Sequence, residues 1–134
     1  MKEHTGGCLC GAVRYSFTGE PRAVSLCHCT HCQKLSGGGF TINLVIREQD
    51  YMQKGVTTCF EDIGDSGHPV KRYFCGTCGS HILAKIAAAP GKIVLKGGTL
   101  DHADTFPPKA EIYTSRAFEW LLPVRETQRF AEGI

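Results

Sequence analysis

The chain has 134 residues, of which 42% are hydrophobic, and its formal net charge at pH 7 is only +2. This composition excludes a disordered chain and predicts a single domain, 1–134, with a moderate core. The small net charge argues against nucleic acid or an anionic membrane surface as a partner. The first residues lack the apolar run of a secretory signal, and no stretch approaches the roughly 18 apolar residues of a membrane span. We therefore expect a cytoplasmic protein.

In the first half of the chain, the sequence predicts short strands around one short helix. Sixteen glycines and six prolines indicate frequent turns. Alternating apolar residues predict a strand over 12–17, and a compact apolar run predicts another over 40–46. Between them, residues 30–38 have helix character, with Thr30 as a possible N-cap and a run of three glycines from Gly37 as a stop signal.

The second half of the chain also favours extended structure. Strands are predicted around Cys59 and within 91–100, where a strand leads into a turn, and a strand or a turn is predicted after Gly79. The segment 106–123 has prolines at its second and third positions, so it cannot be one long helix from Phe106. Alternation around Trp120 indicates a short strand or an extended segment there, and we expect Trp120 in the core.

Cysteine is the residue type that carries most information about chemistry. Seven of the eight cysteines fall in three short motifs, CLC, CHCTHC and CGTC, and Cys59 stands alone. In a cytoplasmic protein, such cysteines are more typical of metal ligands or catalytic thiols than of disulfides. Neighbouring cysteines also bridge each other poorly, because a disulfide requires particular Cα separations, whereas two neighbouring thiolates can bind one metal.

The motif CGTCG predicts a zinc knuckle, a tight turn in which Gly76 and Gly79 can adopt positive φ. Its two sulfurs need a second pair, and the glycine-flanked CLC motif can supply one, since Cys8 and Cys10 would share a face of a strand. A redox function is the alternative, but it requires a strand-to-helix context that the residues after Gly79 do not suggest. The pairing predicts a closed, structural zinc site formed by Cys8, Cys10, Cys75 and Cys78.

The motif CHCTHC is then left with three cysteines. Its spacing can direct three sulfurs at one metal from the start of a short helix, where a thiol pKa is also lowered. Three protein ligands and one open position are the pattern of a catalytic zinc. His28 or His31 as a fourth ligand, Cys59 as a distant one, and other divisions of the eight cysteines remain alternatives. The predicted catalytic and metal-binding residues are Cys27, Cys29 and Cys32.

The order of GGCLCGAVRY, CHCTHCQKLSGG and YFCGTCGSHI resembles the glutathione-dependent formaldehyde-activating enzyme family, which has an Mss4-like fold. The resemblance covers nearly the whole chain and continues through GGTLD and FPPKAEIY to Trp120. It implies an all-β fold of coiled antiparallel sheets, a β-tent, with zinc knuckles and at most short helical turns. It also implies two Zn²⁺ ions per chain, one structural and one catalytic, at the two sets of cysteines named above.

Two positions depart from the pattern of that family. His102 follows Asp101 where the family often has a second acid, and Glu111 precedes Ile112 where it often has histidine. Both departures bear on the substrate more than on the fold.

The chemistry and the resemblance together predict a zinc-dependent enzyme of carbon–sulfur lyase type. A zinc bound by three thiolates suits the deprotonation of a fourth thiol, which could then add to formaldehyde or another small electrophile. The expected thiol is glutathione or a similar small molecule, with His28 or His31 as a proton shuttle. The alternative is a non-catalytic zinc module for protein interaction. Candidate partners for the carboxylates of glutathione are Lys34, Arg47, Lys71 and Arg72.

Overall fold

The structure is a computed structural model, and it describes residues 1–133. Within that range no helix is long and apolar enough to cross a membrane. The strands are β1 (Glu3–Gly7), β2 (Arg14–Thr18), β3 (Ala23–Cys27), β4 (Thr41–Arg47), β5 (Tyr51–Lys54), β6 (Thr58–Ile63), β7 (Pro69–Phe74), β8 (His81–Ile86), β9 (Lys92–Lys96), β10 (Ala110–Ile112) and β11 (Gln128–Arg129). Helix α1 (Thr30–Ser36) has seven residues, and short 3-10 turns occupy Glu48–Asp50, Gly97–Thr99 and Thr114–Arg116.

The strands form two sheets. The smaller has three antiparallel strands in the order β1-β2-β5, and the larger has eight in the order β11-β10-β3-β4-β9-β8-β7-β6. The all-β class predicted above is therefore confirmed, and the one α-helix of the described residues is short, as expected. The large sheet is antiparallel from β3 to β6, whereas β10 runs parallel to both β3 and β11. Parallel neighbours need a long connection, which no local pattern predicts.

Both sheets contribute to one hydrophobic core. Phe17 of the small sheet packs in the same cluster as Leu44, Ile82 and Leu95 of the large sheet. Cys8 also belongs to this cluster, together with Cys75. The turns that carry these two cysteines are thereby held in register by the core, since close packing of buried side chains leaves little freedom for the backbone that bears them.

The expectation for Trp120 is wrong. The segment 117–127 forms no strand, and the side chain of Trp120 is 77% exposed. Alternation produces a buried face only where a strand pairs with neighbours, and this segment pairs with none in the described structure. The indole instead lies beside the ring of Phe118, with 5.6 Å between ring centroids.

Candidate metal centres

Four cysteine sulfurs from two distant turns converge on one point, which we call the four-cysteine site. Sγ of Cys10 lies 3.6 Å from Sγ of Cys8 and 3.8 Å from Sγ of Cys75. The fourth sulfur is that of Cys78, and all four lie within 4.8 Å of one another. A tetrahedron of sulfurs about 2.3 Å from a zinc ion has edges of about 3.8 Å, so the cluster fits a zinc ion without rearrangement.

Backbone amides point at these sulfurs because both turns are tight. The N–H of Val13 donates to Sγ of Cys8 (3.2 Å), and the N–H of Cys78 donates to Sγ of Cys75 (3.5 Å). Strand β1 ends at Gly7, so Cys8 and Cys10 lie in a turn and not on one face of a strand as expected.

The two glycines of the knuckle have different functions. Gly79 adopts the predicted positive φ, +81°. Gly76 does not, and the prediction for it is wrong. Any Cβ at Gly76 would lie 2.7 Å from Oγ1 of Thr58, so this glycine allows strand β6 to approach the knuckle closely.

The thiol of Cys78 is biased toward the form that binds metal. Hydrogen bonds from the hydroxyl and the amide of Ser80 lower the pKa of Cys78 to about 5. A thiolate at neutral pH is the ligand that zinc requires.

A second group of sulfurs, those of Cys27, Cys29 and Cys32, forms the three-cysteine site. Cys27 is the last residue of β3, and Cys29 and Cys32 lie at the start of α1. All three are buried, and their sulfurs lie within 4.8 Å of one another. No histidine, aspartate, glutamate or further cysteine among residues 1–133 joins this group at that distance. The site therefore offers three ligand atoms and could leave one coordination position open.

The helix presents this site through its N-cap. The N-cap is Cys29, not Thr30 as expected, and its Sγ accepts a hydrogen bond from the N–H of Cys32 (3.3 Å). Gly37 ends the helix at φ +70°, as the glycine run indicates. Hydrogen bonds from Cys27 and then Cys29 lower the pKa of Cys32 to about 2, whereas hydrogen bonds with Cys29 and then Cys32 raise the pKa of Cys27. The cluster thus stabilises a thiolate at Cys32.

The three-cysteine site lines a cavity of about 520 Å³, within the usual size range of small-molecule sites. Apolar side chains such as Val45, Ile86 and Val94 form much of its wall. The four cysteines of the other site do not line it. The three-cysteine site therefore faces a space large enough for a ligand, whereas the four-cysteine site does not face this cavity.

The basic residues at this cavity differ from those expected. Of the four predicted, only Arg72 lines it, and the prediction for Lys34, Arg47 and Lys71 is wrong. Arg47 pairs instead with Asp50, since a bend after β4 brings them together (2.9 Å). Lys71 misses the cavity because side chains alternate along a strand. Lys71 and Arg72 are neighbours on β7 and must point to opposite faces.

Sequence reasoning missed Lys96, which lines the cavity and is only 7% exposed. Its Nζ donates to Oδ1 of Asn43 (2.8 Å) and approaches Oγ1 of Thr41 (3.5 Å). Burial lowers the pKa of Lys96, although the sulfurs of Cys32 and Cys27 oppose that shift. Side-chain alternation along β9 predicts that Lys96 and Val94 share one face of the strand. Only the folded sheet shows that this face meets the cysteines.

The two histidines of CHCTHC have different surroundings. His28 is buried, its Nε2 lies 2.8 Å from Oε1 of Glu111, and it does not line the cavity. His31 does line the cavity, and its Nδ1 lies 2.6 Å from Oδ2 of Asp62. Neither belongs to the group of metal-ligand atoms in the described structure. Cys59 does not belong to it either, because it is exposed on β6.

The fold and the two sites define a class of protein. It is an all-β protein in which four cysteines form a complete set of metal ligands and three further cysteines form an incomplete set that faces a cavity. The family model described as "Glutathione-dependent formaldehyde-activating enzyme" matches residues 3–116. The chain therefore belongs to the glutathione-dependent formaldehyde-activating enzyme family, and the resemblance stated from the motifs is confirmed.

Comparisons with individual proteins add support for the fold alone. The chain is similar to a Rhodobacter sphaeroides protein whose crystal structure was a structural genomics target, with a TM-score of 0.58 and 22% sequence identity. The alignment covers 77% of this chain and 91% of that one. No curated protein matches the chain.

Proposed function

We propose that the protein, a single domain over 1–134, is a zinc-dependent enzyme of carbon–sulfur lyase type. Its substrates would be adducts of a small thiol, glutathione or a similar molecule, with formaldehyde or another small electrophile. The observation that carries this proposal is the three-cysteine site, which lines the 520 Å³ cavity and has no fourth protein ligand among the described residues. Membership of the family supports the glutathione and formaldehyde chemistry.

The two cysteine sites would have separate functions. Zinc bound at the three-cysteine site would supply a Lewis acid with an open coordination position, which lowers the pKa of a substrate thiol. The four-cysteine site would hold a structural zinc, because its ligand set is complete and it joins the β1–β2 turn to the β7–β8 turn. This assignment gives two Zn²⁺ ions per chain.

The residues around the cavity support binding and orientation of a thiol adduct. The apolar wall would exclude water from the reacting atoms, and the cavity would hold the thiol and the electrophile together. His31 lines the cavity and is oriented by Asp62, so it is better placed to exchange a proton with a ligand than His28, which faces Glu111. The alternative of a protein-interaction module does not require such a cavity.

The setting of this function is proposed from the charge and the cysteine chemistry. We propose a cytoplasmic enzyme that binds no nucleic acid and no membrane, because its net charge is only +2 and its free thiols suit a reducing compartment.

The experiment that tests this proposal measures zinc per chain and then titrates glutathione. Protein purified without oxygen or chelator should contain two zinc ions per chain by elemental analysis, and calorimetry should detect saturable glutathione binding. Cys29→Ser should lose one zinc and the binding of glutathione, whereas the matched control Cys59→Ser should keep both. Two zinc ions without any binding of glutathione or formaldehyde adduct would contradict the proposed enzyme and favour the interaction module.

A further inference from the structure

Lys96 is a buried basic residue at the wall of the reaction cavity. It is the last residue of β9 and is only 7% exposed, yet it lines the same cavity as the three-cysteine site. Removing an ammonium group from water is costly unless other groups replace its hydration. A lysine in this position therefore needs hydrogen-bond partners. The partners that are present show how many of its N–H donors remain unpaired.

The hydrogen-bond partners of Lys96 are two neutral side chains, and they do not use all of its donors. Oδ1 of Asn43 accepts one hydrogen bond at 2.8 Å, and Oγ1 of Thr41 lies at the limit of hydrogen bonding, 3.5 Å. An ammonium has three N–H donors. At least one donor is therefore left for a group inside the cavity.

The other cations of the cavity differ from Lys96 in this respect. Arg72 is also buried, but its Nε donates to Oδ2 of Asp62 at 3.1 Å, so its charge is offset. Lys92 lies at the other end of β9 and is exposed to solvent. For Lys96, no carboxylate of residues 1–133 lies within salt-bridge distance. Lys96 is thus the buried basic residue of the cavity that no carboxylate of the described residues engages, and the anionic groups that act on it are the sulfurs of Cys32 and Cys27.

We propose that Lys96 is a catalytic residue that donates a hydrogen bond to the oxygen of the thiol–aldehyde adduct, an inference that rests on the function proposed above. In the addition, the substrate thiol first loses its proton to His31, the proton-exchanging residue proposed above. Its sulfur then forms a bond to the carbonyl carbon, and the π pair of the C=O bond moves to oxygen. The alkoxide accepts the hydrogen bond from Nζ and regains the proton from His31, so atoms and charge balance.

Lys96 suits this step because it is held in place before the reaction. Asn43, on the neighbouring strand β4, pairs with Lys96 in the sheet register and accepts from its Nζ. A donor already oriented toward developing charge needs no reorganisation during the reaction, and in a site shielded from water its effect is strengthened. The lysine thereby defines an oxygen subsite beside the sulfur subsite of the three-cysteine cluster.

The test compares two thiols that differ in an anionic oxygen near the sulfur. Thioglycolate has a carboxylate close to its thiol, and ethanethiol has none. Calorimetry on the zinc-loaded protein should give thioglycolate an affinity about tenfold or more above that of ethanethiol, the effect expected of a hydrogen bond to a charged group. The wild-type comparison alone already tests the subsite, and equal affinities would overturn it.

Lys96→Met should remove this preference and leave the affinity for ethanethiol and the zinc content unchanged. The variant should fold, because Oδ1 of Asn43 still accepts from the hydroxyl of Thr41 at 3.0 Å. Lys92→Met makes the same change in charge at an exposed position of the same cavity and should retain the preference. Retention in Lys96→Met, or loss in both variants, would overturn the assignment to Lys96.

The same titrations separate this inference from the proposed function. Binding of both thiols without a preference for thioglycolate would overturn the oxygen subsite and leave the thiol-binding enzyme intact. Failure of either thiol to bind the zinc-loaded wild type would overturn both.

Discussion

His28 and Glu111 are 83 residues apart in the sequence, and their side chains form a buried pair with 2.8 Å between Nε2 and Oε1. His28 lies between two ligands of the three-cysteine site, while Glu111 lies on β10 and holds the C-terminal segment. The other oxygen of Glu111, Oε2, accepts from the N–H of Val124 (3.0 Å), the hydroxyl of Thr127 (3.1 Å) and Nη1 of Arg129 (2.6 Å). The carboxylate thus connects the three-cysteine site to the C-terminal segment.

Glu111→Ala should destabilise the protein strongly. It removes the acceptor of four donors, and a buried donor left without a partner costs about 1–3 kcal/mol. Buried His28 would lose its carboxylate partner and three further donors would lose their acceptor, so we expect a loss of at least about 2 kcal/mol in the free energy of unfolding. Urea denaturation measures it, and Glu119→Ala, at an exposed position, is the control. A loss equal to that of the control would show that the pair contributes little.

Cys29→Ser should abolish turnover and preserve the fold. Serine is a preferred N-cap residue, so its hydroxyl can replace Sγ of Cys29 as the acceptor for the N–H of Cys32. Serine is a poor zinc ligand. Mutating a residue that only hydrogen-bonds to a metal ligand typically costs about 10–100-fold in activity, and we expect a larger fall in the rate of adduct formation here. The assay is hemithioacetal formation from glutathione and formaldehyde, with circular dichroism as the check on folding. Wild-type turnover in this variant would contradict the catalytic assignment.

Cys75→Ser should reduce stability more than activity per folded molecule. Cys75 is buried in the main core and belongs to the four-cysteine site, where the free energy of zinc binding adds to that of folding. We expect a loss of about 3 kcal/mol or more, which lowers Tm by roughly 10 °C in a domain of this size.

Scanning calorimetry on the zinc-loaded proteins measures this difference. Cys59→Ser is the matched control, since Cys59 is exposed and lies outside both sites. Its effect should stay within about 0.5 kcal/mol, as for other surface substitutions. Equal Tm values for Cys75→Ser and the wild type would argue against a structural metal.

His81 should make the protein sensitive to mild acid. Burial is the largest cause that lowers the pKa of His81 from 6.5 to about 4, followed by the charges of Lys96 and Arg72. Its Nε2 is buried without a hydrogen-bond partner in the described structure. Between pH 6.5 and 4 the unfolded chain binds a proton that the folded protein excludes, so stability is full above pH 6.5 and falls as the pH decreases.

The magnitude follows from the pKa difference, and it can be isolated by substitution. A shift of this size corresponds to a loss of up to about 3 kcal/mol by pH 4. His81→Gln cannot be protonated in this range, so the difference in unfolding free energy between wild type and variant should change between pH 7 and 4. Because cysteine ligands are common to both proteins, acid release of zinc cancels in that comparison. A difference independent of pH would contradict the low pKa.

Much of the candidate chemistry was predictable because metal ligands occur in short motifs. CLC, CHCTHC and CGTC each place two or three sulfurs within one turn, and a turn is determined by local sequence. The division of cysteines into a set of four and a set of three was one of several that the sequence allowed. It is the core, through Cys8 and Cys75, that brings the CLC turn to the CGTC turn.

The sequence by itself determined the β class, the short helix and the residue types that can bind zinc, because strand alternation, glycine stops and cysteine spacing act over a few residues. Only the tertiary structure decided which cations surround the open site and which histidine meets it. Lys96, Asn43 and Arg72 come from strands β9, β4 and β7, and Glu111 reaches His28 through a parallel pairing of β10 with β3. Those contacts depend on strand order and register, which arise from long-range packing and leave no local pattern to read.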